Sequence, residues 1–217
     1  QIMGHRRFQQ LLKAQLYLVT APEPNLLQVV EAALKGGLQL VQYRAKKGDD
    51  CDRIVVARQL RALCQQYGAL FLINDRVDLA LAVDADGVHL GQQDLPIAAA
   101  RNLLGSHRII GRSTTNPEEM ARALAEGADY IGVGPVYATP TKPDKAAAGL
   151  EYVRYAAENS PVPFFAIGGI DAHNLDEVMA AGGDRVAVVR ALMQAENPTA
   201  ACQQMLTRLQ MQCAVPS

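Results

Sequence analysis

Two spacings of apolar residues alternate along this chain. Short, near-continuous apolar runs recur as LYLVT (16–20), LQLVQYR (38–44), LFLIND (70–75), GVHLG (87–91), RIIGRS (108–113), YIGVGPV (130–136), PFFAIGG (163–169) and RVAVV (185–189). Each has the length and β-branched character of a buried strand. The stretches between them are longer and carry helical spacing. In NLLQVVEAALKGG, Leu26, Val29, Val30, Ala33 and Leu34 fall on one face. NPEEMARALAEGAD begins with Asn116 as an N-cap and Pro117 at the first helical position, places Glu118 and Glu119 in the first turn, and stops at Gly127. Pairs of small residues, Gly36-Gly37, Gly68-Ala69, Gly127-Ala128 and Gly182-Gly183, mark the turns from helix back to strand.

Eight β-then-α units with strands apolar throughout predict parallel strands covered by helices. Eight is also the number that closes a barrel. The pattern therefore predicts a single-domain α/β chain, a (β/α)8 TIM barrel over residues 16–217, with an open doubly wound sheet as the alternative. A length of 217 residues at 49% hydrophobic content suffices for one sizeable core and needs no second domain. Residues 1–15 read as a helical extension or linker, without the apolar centre of a signal peptide. The opening on Gln1 reads as a processed, truncated or engineered start, and whether a segment precedes it stays open.

The polar residues are unevenly placed. In order, the strands end on Thr20; Arg44, then Lys46; Asn74 and Asp75; Gly91, then Gln92 and Asp94; Ser113; Thr139, Thr141 and Lys142; Gly168 and Gly169; and Val189 with Arg190. The strand starts carry little that chemistry could use. In a barrel all those ends share one rim, the face on which barrel enzymes carry their sites. Asp75 and Asp94, at the ends of neighbouring strands, suit a hard cation such as Mg2+ bound through oxygen and water; N-capping of the following helices is the competing reading. Arg44, Lys46 and Lys142 offer positive charge to phosphate oxygens. The stretch GVGPVYATPTKPDK (132–145), stiffened by Pro135, Pro140 and Pro143, reads either as a surface loop or as a site for an anion. Gly168-Gly169 and the helix start after VAVV offer backbone N–H groups for a second anion. His89 reads as a hydrogen-bonded interior residue rather than a general base. His5, His107 and His173 have no partner at metal spacing, and no nucleophile-elbow, zincin or P-loop motif occurs.

Composition narrows the partners. A net charge of −1, 5% aromatic content and no Trp argue against nucleic acid, and no apolar run reaches transmembrane length, which argues against a membrane. Cys51, Cys64, Cys202 and Cys213 lie far apart without a CxxC pair, which predicts reduced thiols and a cytoplasmic protein.

The ordered set VQYRAK (41–46), IND (73–75), DGVHLGQQD (86–94), GRS (111–113), GADYIGVGPVYATPTK (127–142), AIGGI (166–170) and VAVV (186–189) resembles the thiamine-phosphate synthase family over residues 16–195. The resemblance implies a transferase of thiamine biosynthesis. It would join 4-amino-5-hydroxymethyl-2-methylpyrimidine diphosphate to a thiazole phosphate, giving thiamine phosphate and pyrophosphate. Carried over by motif, Gln42, Arg44 and Lys46, with the intervening Tyr43 and Ala45, would hold the pyrimidine diphosphate, and Asn74 the pyrimidine. Asp75 and Asp94 would hold Mg2+; Ser113 and Lys142 would complete the diphosphate site. Thr139, Pro140, Thr141, Gly169 and the Val189–Arg190 backbone would receive the thiazole phosphate. Arg44, Lys46, Lys142 and Ser113 are the expected catalytic residues, acting through charge, with no protein nucleophile. A homo-oligomer remains open.

Several positions depart from the family pattern. Ala45 stands where an acidic residue is common, Arg190 where a small hydroxyl residue is common, and Thr115 where many relatives carry histidine. The alternatives are a thiazole tautomerase of the same superfamily and a phosphate-sugar barrel isomerase; a ligand-binding regulator on the same fold has no feature of its own in support.

Overall fold

The computed structural model describes residues 2–139 and 147–213. The strands are β1 (Leu16–Val19), β2 (Leu40–Tyr43), β3 (Leu70–Asn74), β4 (Gly87–Leu90), β5 (Ile109–Thr114), β6 (Tyr130–Val133), β7 (Phe164–Ile167) and β8 (Val186–Val188). The helices are α1 (Ile2–Lys13), α2 (Leu26–Lys35), α3 (Asp50–Tyr67), α4 (Val77–Ala82), α5 (Ile97–Leu104), α6 (Pro117–Ala125), α7 (Gly149–Asn159), α8 (Leu175–Ala180), α9 (Arg190–Met193) and α10 (Pro198–Cys213). The strands pair in chain order and the sheet closes, β8 lying parallel to β1 with Leu16 opposite Val186 and Leu18 opposite Val188. The chain is a TIM barrel, not an open sheet.

Alternation along each strand divides the apolar residues into two cores. Leu18, Val41, Tyr43, Phe71, Ile73, Val88, Ile110, Ile131 and Val133 turn outward and pack with the helices. Their helical partners keep the predicted spacing: Val29, Val30, Ala33 and Leu34 are the buried residues of α2. Tyr17, Val19, Leu40, Leu70, Leu72, Ile109, Tyr130, Phe165 and Ala187 fill the barrel itself. Helix α6 starts as expected: the Asn116 side chain accepts from the Glu119 N–H at 2.9 Å, with Pro117 at N1.

Helix α1 seals the opposite end from the rim. Leu11 and Ala14 belong to the interior cluster, against the residues that open several strands. Arg7 pairs with Asp86 at 2.8 Å and donates to the His107 carbonyl, while Gln10 donates to the Gly68 carbonyl. Arg185 and Gln39 in turn donate to the Leu12 and Lys13 carbonyls at the end of the helix. These partners all precede strands, so the helix is tied to the bottom from several sides. No described helix is long and apolar enough to cross a membrane. Cys51, Cys64 and Cys202 are free thiols, and burial pushes Cys64 and Cys202 up to about 12.

Leu11 is only 2% exposed. Leu11→Ala should therefore cost about 2–5 kcal/mol, a fall in Tm of roughly 4–20 °C for a chain of this size. Thermal denaturation checks this; an unchanged Tm would mean that α1 is not part of the core.

Candidate active site at the strand C-terminal rim

Inside the barrel, polarity rises from bottom to top because alternate residues of each strand share one column. Leu40 is followed by Gln42 and, just past β2, Arg44. Leu70 and Leu72 are followed by Asn74; Gly87 by His89; and Ile109 and Gly111 by Ser113. The charged group forms where β2, β3 and β4 end. The Lys46 ammonium pairs with an Asp75 carboxylate oxygen. Asp75 is also hydrogen-bonded to Asp94. Asp75 has φ +62°, and its N–H donates to the His89 carbonyl at 2.9 Å. That left-handed turn is uncommon for a residue with a side chain and is held here by the ladder to β4. Asp94 is held from its own loop, with Oδ2 accepting from the Gly91 N–H at 2.6 Å. It is not the N-cap of α5, which follows Pro96.

The paired carboxyls diverge in acidity. Burial works to raise Asp75, but its hydrogen bond from Asp94, the Lys46 ammonium and the Arg44 charge outweigh burial and hold it below the usual carboxylate range. Asp94 is pushed above that range by burial and by Asp75, against the Gly91 N–H and Lys46. No group of three or more metal-binding side chains occurs among the described residues. Among the described residues, Asp75 and Asp94 would offer two carboxyl groups to a cation, leaving other positions to water and ligand phosphate. Hard, converging carboxylates of that kind fit Mg2+.

Arg44 makes no side-chain ion pair among the described residues, and its N–H donates to Thr20 Oγ1 at 3.0 Å. Behind it, Arg53 donates to the Ala45 carbonyl at 2.9 Å. Arg76 clamps Asp50 through contacts of 2.9 and 3.1 Å, tying the start of α3 to the turn after β3. Ser113 Oγ lies 2.7 Å from His89 Nε2, and His89 Nδ1 lies 2.7 Å from the Tyr130 hydroxyl. The Tyr130 and Tyr17 hydroxyls are 2.8 Å apart, and Gln42 Nε2 donates to Tyr17 at 2.6 Å. His89 is thus a hydrogen-bonded interior residue, as its setting between Val88 and Leu90 predicts.

A second corner forms where β6, β7 and β8 end. The loop after β6 keeps pairing with its neighbour: Val136 N–H donates to the Ile167 carbonyl at 2.8 Å and Tyr137 N–H to the Gly168 carbonyl at 3.0 Å. Gly168 and Gly169 have φ +109° and +68°. A Cβ on Gly169 would lie 3.0 Å from Tyr137 Cβ and 3.6 Å from Thr139 Cγ2, so Thr139 and the glycine turn share this corner. Val189 caps the short α9, whose first N–H groups lack helical partners.

The structure gathers Arg44, Lys46, Asn74, Asp75, Asp94, Ser113, Thr139, Gly169 and Val189 at the strand C-terminal ends. Pro140, Thr141 and Lys142 lie outside the described residues. Tyr43 does not reach the rim: strand parity turns it into the helix-facing core, 7% exposed. Gln42 is 2% exposed and sits below the rim, with its amide turned down to Tyr17. Ala45 packs against the outer core, and the Arg190 side chain is exposed. Thr115, at the position where relatives often have histidine, donates through N–H and Oγ1 to Glu119 at the head of α6. Tyr17 and Tyr130 do not show among the strand ends because they sit under the rim, inside the barrel. The available signal was parity, since Tyr17 and Tyr130 are polar-tipped residues in the interior column.

A family model described as thiamine monophosphate synthase matches residues 16–192. Thiamine-phosphate synthases of Synechocystis sp. and Nostoc sp. are 69% and 67% identical over 208 residues, 96% of this chain. This chain spans 61% and 59% of their lengths. A solved thiamine phosphate pyrophosphorylase from Pyrococcus furiosus superposes with a TM-score of 0.84 at 39% identity, covering 92% of this chain and 97% of that one. A 3-hexulose-6-phosphate synthase structure at 19% identity and TM-score 0.65 shares the fold. The chain is a (β/α)8 barrel with its polar residues gathered at the strand C-terminal rim, and it belongs to the thiamine monophosphate synthase family.

The carboxyl pair has a stability consequence. Asp94 is raised in the folded state, so above the ordinary carboxylate range its charge opposes folding. Asp94→Asn keeps an oxygen for the Gly91 N–H and gains an N–H for Asp75. At pH 8 in chelator its Tm should rise by about 2–4 °C, roughly 1 kcal/mol after allowing for partial exposure. The gain should vanish as pH falls through the raised pKa and Asp94 takes up its proton. A lower Tm at pH 8 would show that the pair is not repulsive.

Proposed function

We propose that this chain carries a magnesium-dependent thiamine-phosphate synthase activity, a transferase reaction joining a pyrimidine diphosphate to a thiazole phosphate. The observation that carries the reading is the interleaving of charge at one rim: Lys46 on Asp75, Asp75 against Asp94, and Arg44 beside them with no ion pair among the described residues. Carboxylates meet a cation and arginine meets phosphate, so this arrangement suits a metal-bound diphosphate rather than an uncharged ligand. The family assignment and the identities of its relatives support the same reaction.

In this reading the bond from the pyrimidine methylene to the diphosphate oxygen breaks, and both electrons leave with pyrophosphate. Mg2+ held by Asp75 and Asp94 supplies charge neutralisation when bound. Arg44, Lys46 and Lys142 stabilise the negative charge as it develops, and Ser113 donates a hydrogen bond to it. Asn74 orients the pyrimidine. Thr139, Thr141 and the backbone of Gly169 and Val189–Arg190 hold the thiazole phosphate, placing the ring nitrogen to form the new C–N bond. No protein nucleophile or base enters, in keeping with His89 being committed to Ser113 and Tyr130.

Incubation with both substrates should yield equimolar pyrophosphate and thiamine phosphate with Mg2+ and neither in chelator. A tautomerase would release no pyrophosphate, and full activity in excess chelator would remove the metal from the reading. Asp75→Asn combined with Asp94→Asn should abolish activity together with the magnesium response. Lys142→Ala should lower turnover about 100-fold or more, with Tm shifted by no more than about 1 °C; unchanged kinetics would sink its diphosphate role.

A further inference from the structure

We propose that Tyr17, Tyr130 and His89 are positioning residues, a one-way hydrogen-bond chain that begins at Gln42 and holds Ser113 as a donor toward a bound anion. The proposal rests on the diphosphate reading above for the identity of that anion, but not for the direction of the chain.

The direction follows from counting protons. Gln42 Nε2 has only hydrogens to give, so at 2.6 Å the Tyr17 oxygen accepts. Tyr17 has one proton, and its other partner is the Tyr130 hydroxyl at 2.8 Å. Were Tyr17 also to accept from Tyr130, its own proton would be stranded in the barrel interior, where an unmade hydrogen bond carries its full desolvation cost. Tyr17 therefore donates to Tyr130. By the same step Tyr130 donates to His89 Nδ1 at 2.7 Å. A neutral imidazole that accepts at Nδ1 carries its hydrogen on Nε2, which donates to Ser113 Oγ at 2.7 Å. The serine lone pair is then occupied, and its own hydrogen is left for a ligand oxygen. Reversing the chain would make Ser113 donate its one hydrogen to His89 Nε2 and leave only lone pairs facing the ligand, the wrong polarity for phosphate.

The surroundings keep both phenols neutral and fixed. Burial drives the Tyr17 and Tyr130 hydroxyls far above the ordinary phenol range, so each retains its proton. Their rings meet edge to face at 5.9 Å, and each meets Phe165 edge to face, at 5.2 and 5.6 Å. Gly111, the glycine of the GRS motif, makes the room: a Cβ there would lie 2.1 Å from Tyr130 Cζ and 2.5 Å from its hydroxyl. That glycine serves the phenol rather than a turn, a role invisible in the motif itself.

Long-range 1H–15N correlation on ligand-free, 15N-histidine-labelled protein reads the tautomer directly, with the His89 signals assigned by their loss in His89→Gln. His89 should be a single Nε2–H tautomer in the wild type. Tyr17→Phe removes the link to Gln42 without touching His89 or Ser113, and should produce a mixture of tautomers. Its kcat should fall about three- to tenfold, with KM for the pyrimidine diphosphate changed less than about twofold. Tyr130→Phe should do the same or more, and the Tyr17 variant covers the case in which it folds poorly. An Nδ1–H tautomer in the wild type overturns the proposal, as does a Tyr17→Phe protein with wild-type tautomer and kinetics. A wild-type chain inactive on both substrates but holding the Nε2–H tautomer would instead leave the chain standing and remove the diphosphate reading.

Discussion

Closure of the sheet through the β1–β8 pairing is the constraint on which everything else depends. Three aligned residues on each strand, Leu16 to Leu18 opposite Val186 to Val188, complete it. Closure removes both sheet edges and forces alternate side chains of every strand into one narrow interior. That interior has room for a fixed set of side chains, met from below by Leu11 of α1 and filled across its middle by Tyr17, Tyr130 and Phe165. Whatever stands above that aromatic layer must face the rim. An open sheet built from the same strands would leave Thr20 and Val189 at opposite margins instead of side by side.

Above the aromatic layer the structure accepts electrostatic cost. Two carboxyls converge, one residue with a side chain occupies the left-handed region, and an arginine stands without an ion pair among the described residues. None of this is the most stable choice for an empty surface. Such arrangements persist where the surrounding scaffold over-determines them, and they cluster where ligands bind. The scaffold here includes the Gly91 N–H on Asp94, the His89 carbonyl on Asp75 and the Arg76 clamp on Asp50. These hold the charges in place before any ligand neutralises them, which is the condition for electrostatic stabilisation without reorganisation.

Much of this was legible in the one-dimensional pattern. The strand runs, the Asn116 cap and the amphipathic face of α2 all depend on residues near in sequence, so local spacing reveals them. Strand ends were read too long at several positions: the ladder of β6 stops at Val133 and that of β7 at Ile167. The chain stays extended beyond them, as the Val136 and Tyr137 hydrogen bonds show, but splays toward the rim. Tyr43 sits inside the VQYRAK motif yet faces the helices, because a motif groups neighbours whereas a strand separates them by face. Thr115 looked like a departure at a ligand position, and in the fold it serves the head of α6.

By itself, then, the sequence determined the eight-unit rhythm, the closed barrel as the favoured architecture, and the collection of Arg44, Lys46, Asp75, Asp94 and Ser113 at strand ends. These follow from periodicity and from the rule that parallel strands share one direction. Only the tertiary structure decided which of those residues touch, that Asp75 and Asp94 compete for one proton, and that Gln42 reaches Ser113 through Tyr17, Tyr130 and His89. Those contacts join residues of β1, β2, β4, β5 and β6, separated by up to 113 positions for Tyr17 and Tyr130. Their geometry is set by barrel closure and register, which no local stretch of chain contains.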